Sequence, residues 1–495
     1  MAALQTPDWV QDAVFYQIFP DRFARSRRAA RLCNLEPWDS PPTIYGFKGG
    51  DLFGAAEKLD YLQDLGVTAV YFTPIFTSAA NHRYHTIDYF SVDPILGGNA
   101  ALAEFLKQAH GRGIRVVLDG VFNHTGRGFY QFNHTLENGS ASPYLDWFIF
   151  DHKRLRPASG LNAYPRRPGE DLGYHSWRCY PALPKLDVRT PAVREFILSV
   201  AEHWVRFGID GWRLDVPADI DDDAFWQEFR RRVKAVNPEA YIVGEIWDEA
   251  GRWLQGDQFD AVMNYLFAKA ALGGLCDRLD LDLAHRTGSD YRKIRPLSLP
   301  AFSEDLDRIL RLYNPAVTRS QLNLLDSHDT PRFLTLAGGD ETALRLAAAL
   351  MFAFPGAPCV YYGDEVGMEG SCDPDCRRAF PWDHRRWNHG LRDFFKRLIR
   401  LRRSSAALRR GSFERLHCSD GIYALRRKLG REEVVVVLNL SRQSRNFSLD
   451  LPGAKRSRAA TWREAWSRRI RRSQQGRLAG LSLRPRDSLI LQREP

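Results

Sequence analysis

What this chain lacks narrows its class before any motif is read. No apolar run approaches the roughly 20 residues of a membrane-spanning helix, and the N-terminus MAALQTPDWVQDAV has no basic-then-apolar leader pattern. The expectation is a cytoplasmic protein with no membrane partner. A disulfide framework is missing as well: seven cysteines, an odd number, are scattered at 33, 179, 276, 359, 372, 376 and 418 of 495 residues. Cys372 and Cys376 in SCDPDC have the spacing of a local bridge or half a metal site, but no second Cys/His pair accompanies them, so they read as plain thiols. The net charge is +10, with much of the arginine in 398–410 and 455–477. No nucleic-acid reading module or series of stacking aromatics joins that basic stripe, so it is read as a solvated face and no nucleic-acid partner is expected. Internal repeats and low-complexity linkers are also absent.

What is present fits a globular enzyme: 44% hydrophobic and 12% aromatic residues. A chain of 495 residues has room for a barrel of about 250 residues and one or two smaller units. Buried-strand patterns stand at 13–20, 67–75, 114–124, 208–216, 241–247, 259–265, 321–329 and 357–365. Helical patterns lie between most of them, such as 100–113 with its glycine stop, and 192–208. Strand alternating with helix predicts a parallel sheet, here a (β/α)8 TIM barrel. A long Gly-, Pro- and aromatic-rich stretch at 125–187 reads as a lobe, domain B, inserted after the third strand. After about residue 408 short alternating runs at 421–428, 433–441 and 487–493 predict an antiparallel β domain. The expected layout is a barrel over 1–124 and 188–408, the lobe over 125–187, and a C-terminal β-sandwich over 409–495.

Four strand-like runs end in polar residues: Asp119–His124, Arg213–Asp215, Glu245 and His328–Asp329. A barrel collects such strand ends in one pocket. Cleaving a glycosidic bond with retention needs a nucleophilic carboxylate, a second carboxylic acid about 5 Å away and support for a cationic sugar. Asp215, Glu245 and Asp329 supply three carboxylates. Helix capping would account for any one of them alone, but poorly for all three.

The segments DGVFNH, GWRLDV, GEIW and SHD closely resemble those of the α-amylase family, glycoside hydrolase family thirteen. The likeness extends from DAVFYQIFPDRF (12–23) through 49–76 and LPKLDV (183–188) to PGAPCVYYGDE (355–365). It is greatest for the cyclomaltodextrinase, neopullulanase and maltogenic amylase branch. The resemblance implies that Asp215 is the nucleophile, Glu245 the acid and then base, and that Asp329 holds sugar hydroxyls and helps distort the ring. Arg213 would keep Asp215 ionised, and His124 and His328 would donate to sugar hydroxyls. Tyr84 would stack on the reacting sugar, Trp247 would meet the leaving group, and Asp119 and Asn123 would support the cluster. The implied activity is a retaining α-glucan hydrolase acting on maltooligosaccharides, cyclodextrins or pullulan. Alternatives are an α-glucan transglycosylase and, less favoured, a non-catalytic carbohydrate-binding relative.

Departures from that pattern carry expectations of their own. Relatives in the branch usually have a further domain ahead of the barrel that helps form a dimer; this sequence starts almost at the first strand, which implies a more open cleft and leaves monomer or homodimer open. Where many relatives have a calcium loop, residues 24–34 read ARSRRAARLCN. Arginines repel a hard dication that needs oxygen ligands, so no calcium and no other cofactor is expected. Val216, Pro217, Ala218 and Asp219 differ from the branch pattern, which leaves open the choice between α-1,4 and α-1,6 bonds and between water and sugar as acceptor.

Overall fold

A computed structural model describes residues 5–28, 33–151, 155, 160–288, 291–452 and 459–494. Eight parallel strands form the barrel: β1 (Phe15–Ile18), β2 (Ala69–Phe72), β3 (Arg115–Gly120), β4 (Gly211–Leu214), β5 (Tyr241–Gly244), β6 (Ala261–Val262), β7 (Leu322–Asn323) and β8 (Ala357–Tyr361). Their order is β6-β5-β4-β3-β2-β1-β8-β7, and a parallel bridge between Met263 and Leu322 closes the ring. The apolar strand residues are buried on both sides, as expected where helices cover a closed parallel sheet.

Helices α1 (Gly98–Gly111), α2 (Pro191–Phe207), α3 (Asp223–Val236), α4 (Glu341–Ala353) and α5 (His389–Ser404) belong to the outer layer. In α2 the apolar stripe Val193, Ile197, Val200, Ala201 and Trp204 faces inward, and Gly208 at φ 122° stops the helix in a conformation side chains avoid. Among the described residues β5 and β6 are joined only by a 3-10 turn, Gly251–Trp253, without a longer helix.

The polar strand ends shorten the predicted strands. The run 321–329 pairs only at Leu322–Asn323, because Asp326, Ser327 and Thr330 bond nearby backbone instead. Phe333 N donates to Asp326 Oδ2 (2.6 Å), Asp329 N to Ser327 Oγ (3.2 Å) and Ser327 N to Thr330 Oγ1 (3.0 Å). The run 259–265 likewise pairs only at Ala261–Val262. Strand register does the positioning. Asp119 lies beside Arg213, and Leu214 beside Gly244, so Asp215 and Glu245 emerge as neighbours one residue higher. Gly211 makes that close pairing possible: a Cβ there would lie 2.2 Å from the Tyr241 carbonyl oxygen.

The stretch after β3 holds a helix, Tyr130–Asn138, and an aromatic cluster of Phe129, Phe132, Phe148, Phe150 and Tyr174. Antiparallel bridges His124–Lys185 and Phe148–Leu186 tie it back to the strand end. Part of the predicted lobe, 152–154 and 156–159, lies outside the described residues.

The C-terminal region is antiparallel, with strands β9 (Ser412–Ser419), β10 (Ile422–Leu429), β11 (Glu432–Asn439), β12 (Arg445–Asp450), β13 (Ala460–Glu464), β14 (Ile470–Gln474), β15 (Arg477–Leu483) and β16 (Ser488–Arg493). They run in the order β9-β10-β11-β16-β13-β14-β15-β12 around a core that includes Val435, Val437, Trp462, Leu481 and Leu491. Fully buried Arg427 stitches this region to the barrel, and fully buried Arg402 ties the barrel elements beside that seam to one another. Arg427 donates to the carbonyls of Ala353 (2.6 Å), Gly411 (2.9 Å) and Ser412 (3.2 Å). Arg402 donates to those of Phe352, Leu408, Gly356 and Gln11. Both thereby cap the C-terminus of α4, where a cation is favoured. All seven cysteines are free thiols.

Candidate active site

A cleft of about 480 Å³ opens at the C-terminal ends of the barrel strands, and Asp215, Glu245 and Asp329 all line it. Its organising group is the fully buried guanidinium of Arg213. Nη1 donates to both oxygens of Asp119 (2.9 and 3.0 Å) and to Asp215 Oδ1 (3.1 Å), while Nη2 makes a 3.0 Å ion pair with Glu245 Oε2 outside hydrogen-bond alignment. Arg213 thus pairs with Asp215, as the resemblance implied, and is shared with Asp119 and Glu245 as well. Burial pushes Asp215 well above the usual carboxylate range; Arg213 opposes this, and Glu245, Asp119 and Asp329 add to it. One cation cannot neutralise three anions in a dry site, so the cluster holds a proton.

Glu245 is the group placed to hold it. Burial, with a further contribution from Asp329, raises it to about 7 against the pull of Arg213. Its Oε2 accepts from Val216 N (3.1 Å) and its Oε1 from Trp247 Nε1 (2.9 Å), so both oxygens are oriented. Val216 aims that N–H from a left-handed conformation, φ 36° and ψ 49°, which a β-branched residue adopts only under constraint. A proton on Glu245 removes the largest carboxylate repulsion acting on Asp215.

Around these groups the histidines are neutral. Asn123 Nδ2 lies 3.2 Å from His124 Nδ1, which places the imidazole proton on Nε2. That Nε2 is buried without a partner among the described residues, His124 lines the cleft, and burial lowers its pKa to about 3. It is a donor awaiting an acceptor. His328 is held the same way: Gln17 Nε2 contacts Nδ1 at 2.7 Å, leaving Nε2 to face Tyr84 Oη and Asp329 Oδ2 (3.1 Å). Burial also keeps His328 well below the ordinary histidine pKa. Asp329 Oδ1 accepts from Arg377 Nη2 (3.2 Å).

Tyr84 comes from the loop of a two-stranded ribbon, Phe76–Ser78 and Thr86–Val92, between β2 and α1. Its hydroxyl reaches Asp119 Oδ2 (3.0 Å) and its ring lies parallel to that of His328, with centroids 5.5 Å apart. Asp119 also accepts from Tyr71 (2.7 Å). Trp247 lies flat on Tyr265 at 3.8 Å, so one face of the indole is covered and its N–H serves Glu245. Every site residue expected from the sequence falls in this neighbourhood. Several others escaped it: Arg377 and Asp373 in the loop after β8, His82 and His85 beside Tyr84, and Trp177, whose ring parallels His124 at 5.4 Å. For the histidines the signal was the segment NHRYHT itself, polar and ring-rich beside Tyr84.

The segment 24–34 was expected to hold no calcium; residues 29–32 lie outside the described residues. Asp51 spends one oxygen on Ser26 N (2.8 Å) and the other on Gly54 N (2.8 Å), and Arg25 donates to the Lys48 carbonyl (3.1 Å). Among the described residues no three His, Cys, Asp or Glu side chains group to hold a metal, and no helix is long and apolar enough to cross a membrane.

The description "Alpha amylase, catalytic domain" matches residues 17–396. The chain belongs to the α-amylase family. It is 41% identical over 491 residues to neopullulanase 2 of Thermoactinomyces vulgaris, spanning 98% of this chain and 78% of that protein. A cyclomaltodextrinase of a Bacillus species is 44% identical, covering 88% and 74%. Among solved structures, Ttha1563 from Thermus thermophilus matches with a TM-score of 0.91 at 51% identity, over 98% of this chain and 100% of that one. The debranching enzyme of Nostoc punctiforme matches with a TM-score of 0.86 at 45% identity, over 99% of both. This α-amylase family member is a glycoside hydrolase.

Proposed function

We propose that the enzyme hydrolyses α-1,4-glucosidic bonds in maltooligosaccharides, cyclodextrins or pullulan by double displacement with retention. The observation that carries this reading is the geometry around Arg213: Asp215 and Glu245 touch the same guanidinium, while Glu245 alone of the two has both oxygens oriented by N–H donors, from Val216 and Trp247. Asp215 attacks the anomeric carbon as Glu245 gives its proton to the departing oxygen, breaking the sugar–oxygen bond. Glu245, now a carboxylate, takes a proton from water, which attacks the same carbon and releases Asp215.

Asp329 would hold hydroxyls of the reacting sugar, and His124 and His328 would donate to them from Nε2. Tyr84 would cover an apolar sugar face, and the free face of Trp247 would meet the leaving group. Arg213 fixes Asp215 and Glu245 side by side, with Asp119 anchoring Arg213 and Asn123 setting the tautomer of His124. We further propose that no calcium binds at 24–34, where Arg25 supplies the positive charge, and that the enzyme works in the cytoplasm, as the name of the intracellular maltogenic amylase of Bacillus subtilis (39% identical) suggests. The oligomeric reading is monomer or homodimer.

Cleavage of α-1,6 bonds is a second reading, favoured by the 45% identity to the Nostoc punctiforme debranching enzyme. Chromatography of digests of maltoheptaose, β-cyclodextrin, soluble starch and pullulan, with NMR of the first anomer formed, separates these outcomes. α-Configured glucose or maltose from the first three supports the main reading; maltotriose from pullulan supports the second; lengthening of maltotriose signals transfer. Release of β-anomers, or no release at all, would overturn the proposal.

A further inference from the structure

The loop from Glu36 to Lys48, between β1 and β2, is fastened far more tightly than its exposure requires. Lys48 is fully buried, and its ammonium donates to Pro37 O (2.7 Å), Ser40 O (2.7 Å) and Ser40 Oγ (2.6 Å). Glu36 accepts from Thr43 Oγ1 (2.6 Å) and N (3.2 Å), and Glu36 N bonds Phe47 O (2.9 Å) across the loop base. At the tip, the buried amide of Asn81 donates to Ile44 O (3.1 Å) and Gly46 O (2.8 Å), bracketing Tyr45. Yet Tyr45 is 85% exposed and Ile44 56% exposed. A rigid scaffold that presents a bare aromatic ring is the mark of a binding surface.

Behind this loop lies a second cavity of about 340 Å³, lined by Trp38, Asp39, Met368, Glu369, Arg378 and Pro381 among others. Its size falls within the roughly 300–1,000 Å³ of small-molecule sites. Trp38 is half-buried, with its indole N–H fixed on Phe380 O (2.8 Å) and Arg25 5.5 Å from its ring. An aromatic ring flanked by carboxylates and guanidinium groups suits a glucosyl unit, which has apolar ring faces and a rim of hydroxyls.

The cavity and loop adjoin the cleft through neighbouring residues of the chain. Arg377 faces Asp329 while the next residue, Arg378, lines the second cavity, and Asn81 stands directly before His82 and Tyr84 of the cleft. In the reading proposed above Tyr84 and Asp329 hold the reacting sugar, so the loop and cavity adjoin the part of the cleft that takes the transferred sugar and the chain behind it. We infer that Trp38 and Tyr45 form an auxiliary contact region for an α-1,4-glucan chain, beyond the donor end of the cleft. This rests on the α-glucan reading proposed above, and it predicts that long chains gain affinity that short ones do not.

Calorimetric titration of the Asp215→Asn enzyme with maltoheptaose and maltotriose tests it, beside the same protein carrying Tyr45→Ala or Trp38→Ala. Each aromatic loss should weaken maltoheptaose by about threefold to tenfold, the worth of one sugar–ring contact, and leave maltotriose unchanged. Tyr45 is exposed, so its variant keeps the fold and decides the matter if Trp38→Ala does not fold. Equal maltoheptaose affinity with and without Tyr45, or equal loss for both sugars, overturns the inference while leaving the α-glucan reading standing. Failure of the parent enzyme to cleave any of these glucans overturns that reading, and the auxiliary region with it.

Discussion

Two regions of this molecule bury an arginine completely and use it in opposite ways. At the strand ends Arg213 faces three carboxylates, and at the seam between barrel and C-terminal strands Arg427 faces only backbone carbonyls. In the first place anionic neighbours raise the guanidinium well above its ordinary pKa against the effect of burial; in the second, burial pulls it well below. Arg402 shows the same downward pull, to about 9, which still leaves it charged at neutral pH. A cation among anions sets proton affinities and so belongs to the chemistry. A cation among carbonyls satisfies the end of a helix and so belongs to the architecture.

Exchange of the two arginines for methionine is the most severe test of that contrast. Arg213→Met should cut kcat by about 100-fold to 1,000-fold, the scale of losing a preorganised electrostatic partner, as measured by initial rates on maltotriose. Arg427→Met should leave kcat per folded molecule within about twofold but cost roughly 3 kcal/mol of stability, since several carbonyls lose their donor inside the seam; denaturant melts read this. Equal activity losses in the two variants would erase the distinction.

The next effect is on pH. Activity should fall as pH rises through about 7, because Glu245 must carry its proton when substrate arrives. The stability contribution has a definite sign. The folded state holds this proton to higher pH than the unfolded chain, so stability declines from about pH 4.5 to about 7 and is level above. Glu245→Gln, which cannot ionise, should therefore raise Tm more at pH 8 than at pH 5 while nearly abolishing turnover. A variant with the same Tm increment at both pH values would show that Glu245 carries no raised pKa.

Trp247→Phe is the mildest change in the series. It keeps the stacking on Tyr265 but removes the N–H held by Glu245 Oε1, so the alkaline limb of the rate profile should move upward. An unmoved limb would assign Trp247 to packing alone.

Much of the barrel and its strand-end cluster was legible because both are local in sequence. Hydrophobic strand runs stop directly at Asp119, Asp215 and Glu245, and register turns that adjacency into a shared pocket. Tyr84 was reachable only by family likeness, since it sits in a ribbon loop with no strand of its own behind it. Arg377, in CRR, shows no periodicity that would separate it from any surface arginine. The same holds for C-terminal strands such as IRRSQ at 470–474, where arginines mask the alternation and only Ser473 is buried. Beyond β7 the predicted strand ran too long because side-chain-to-backbone bonds replaced the ladder.

The bond from Val216 N to Glu245 Oε2 has a consequence for how this enzyme can change. Because Val216 follows Asp215 directly along the chain, the peptide that carries one reacting group is also the cradle of the other. Any substitution that swings the turn at Pro217 must displace both at once, so their separation is inherited as one unit, and divergence in specificity is confined to the walls around them.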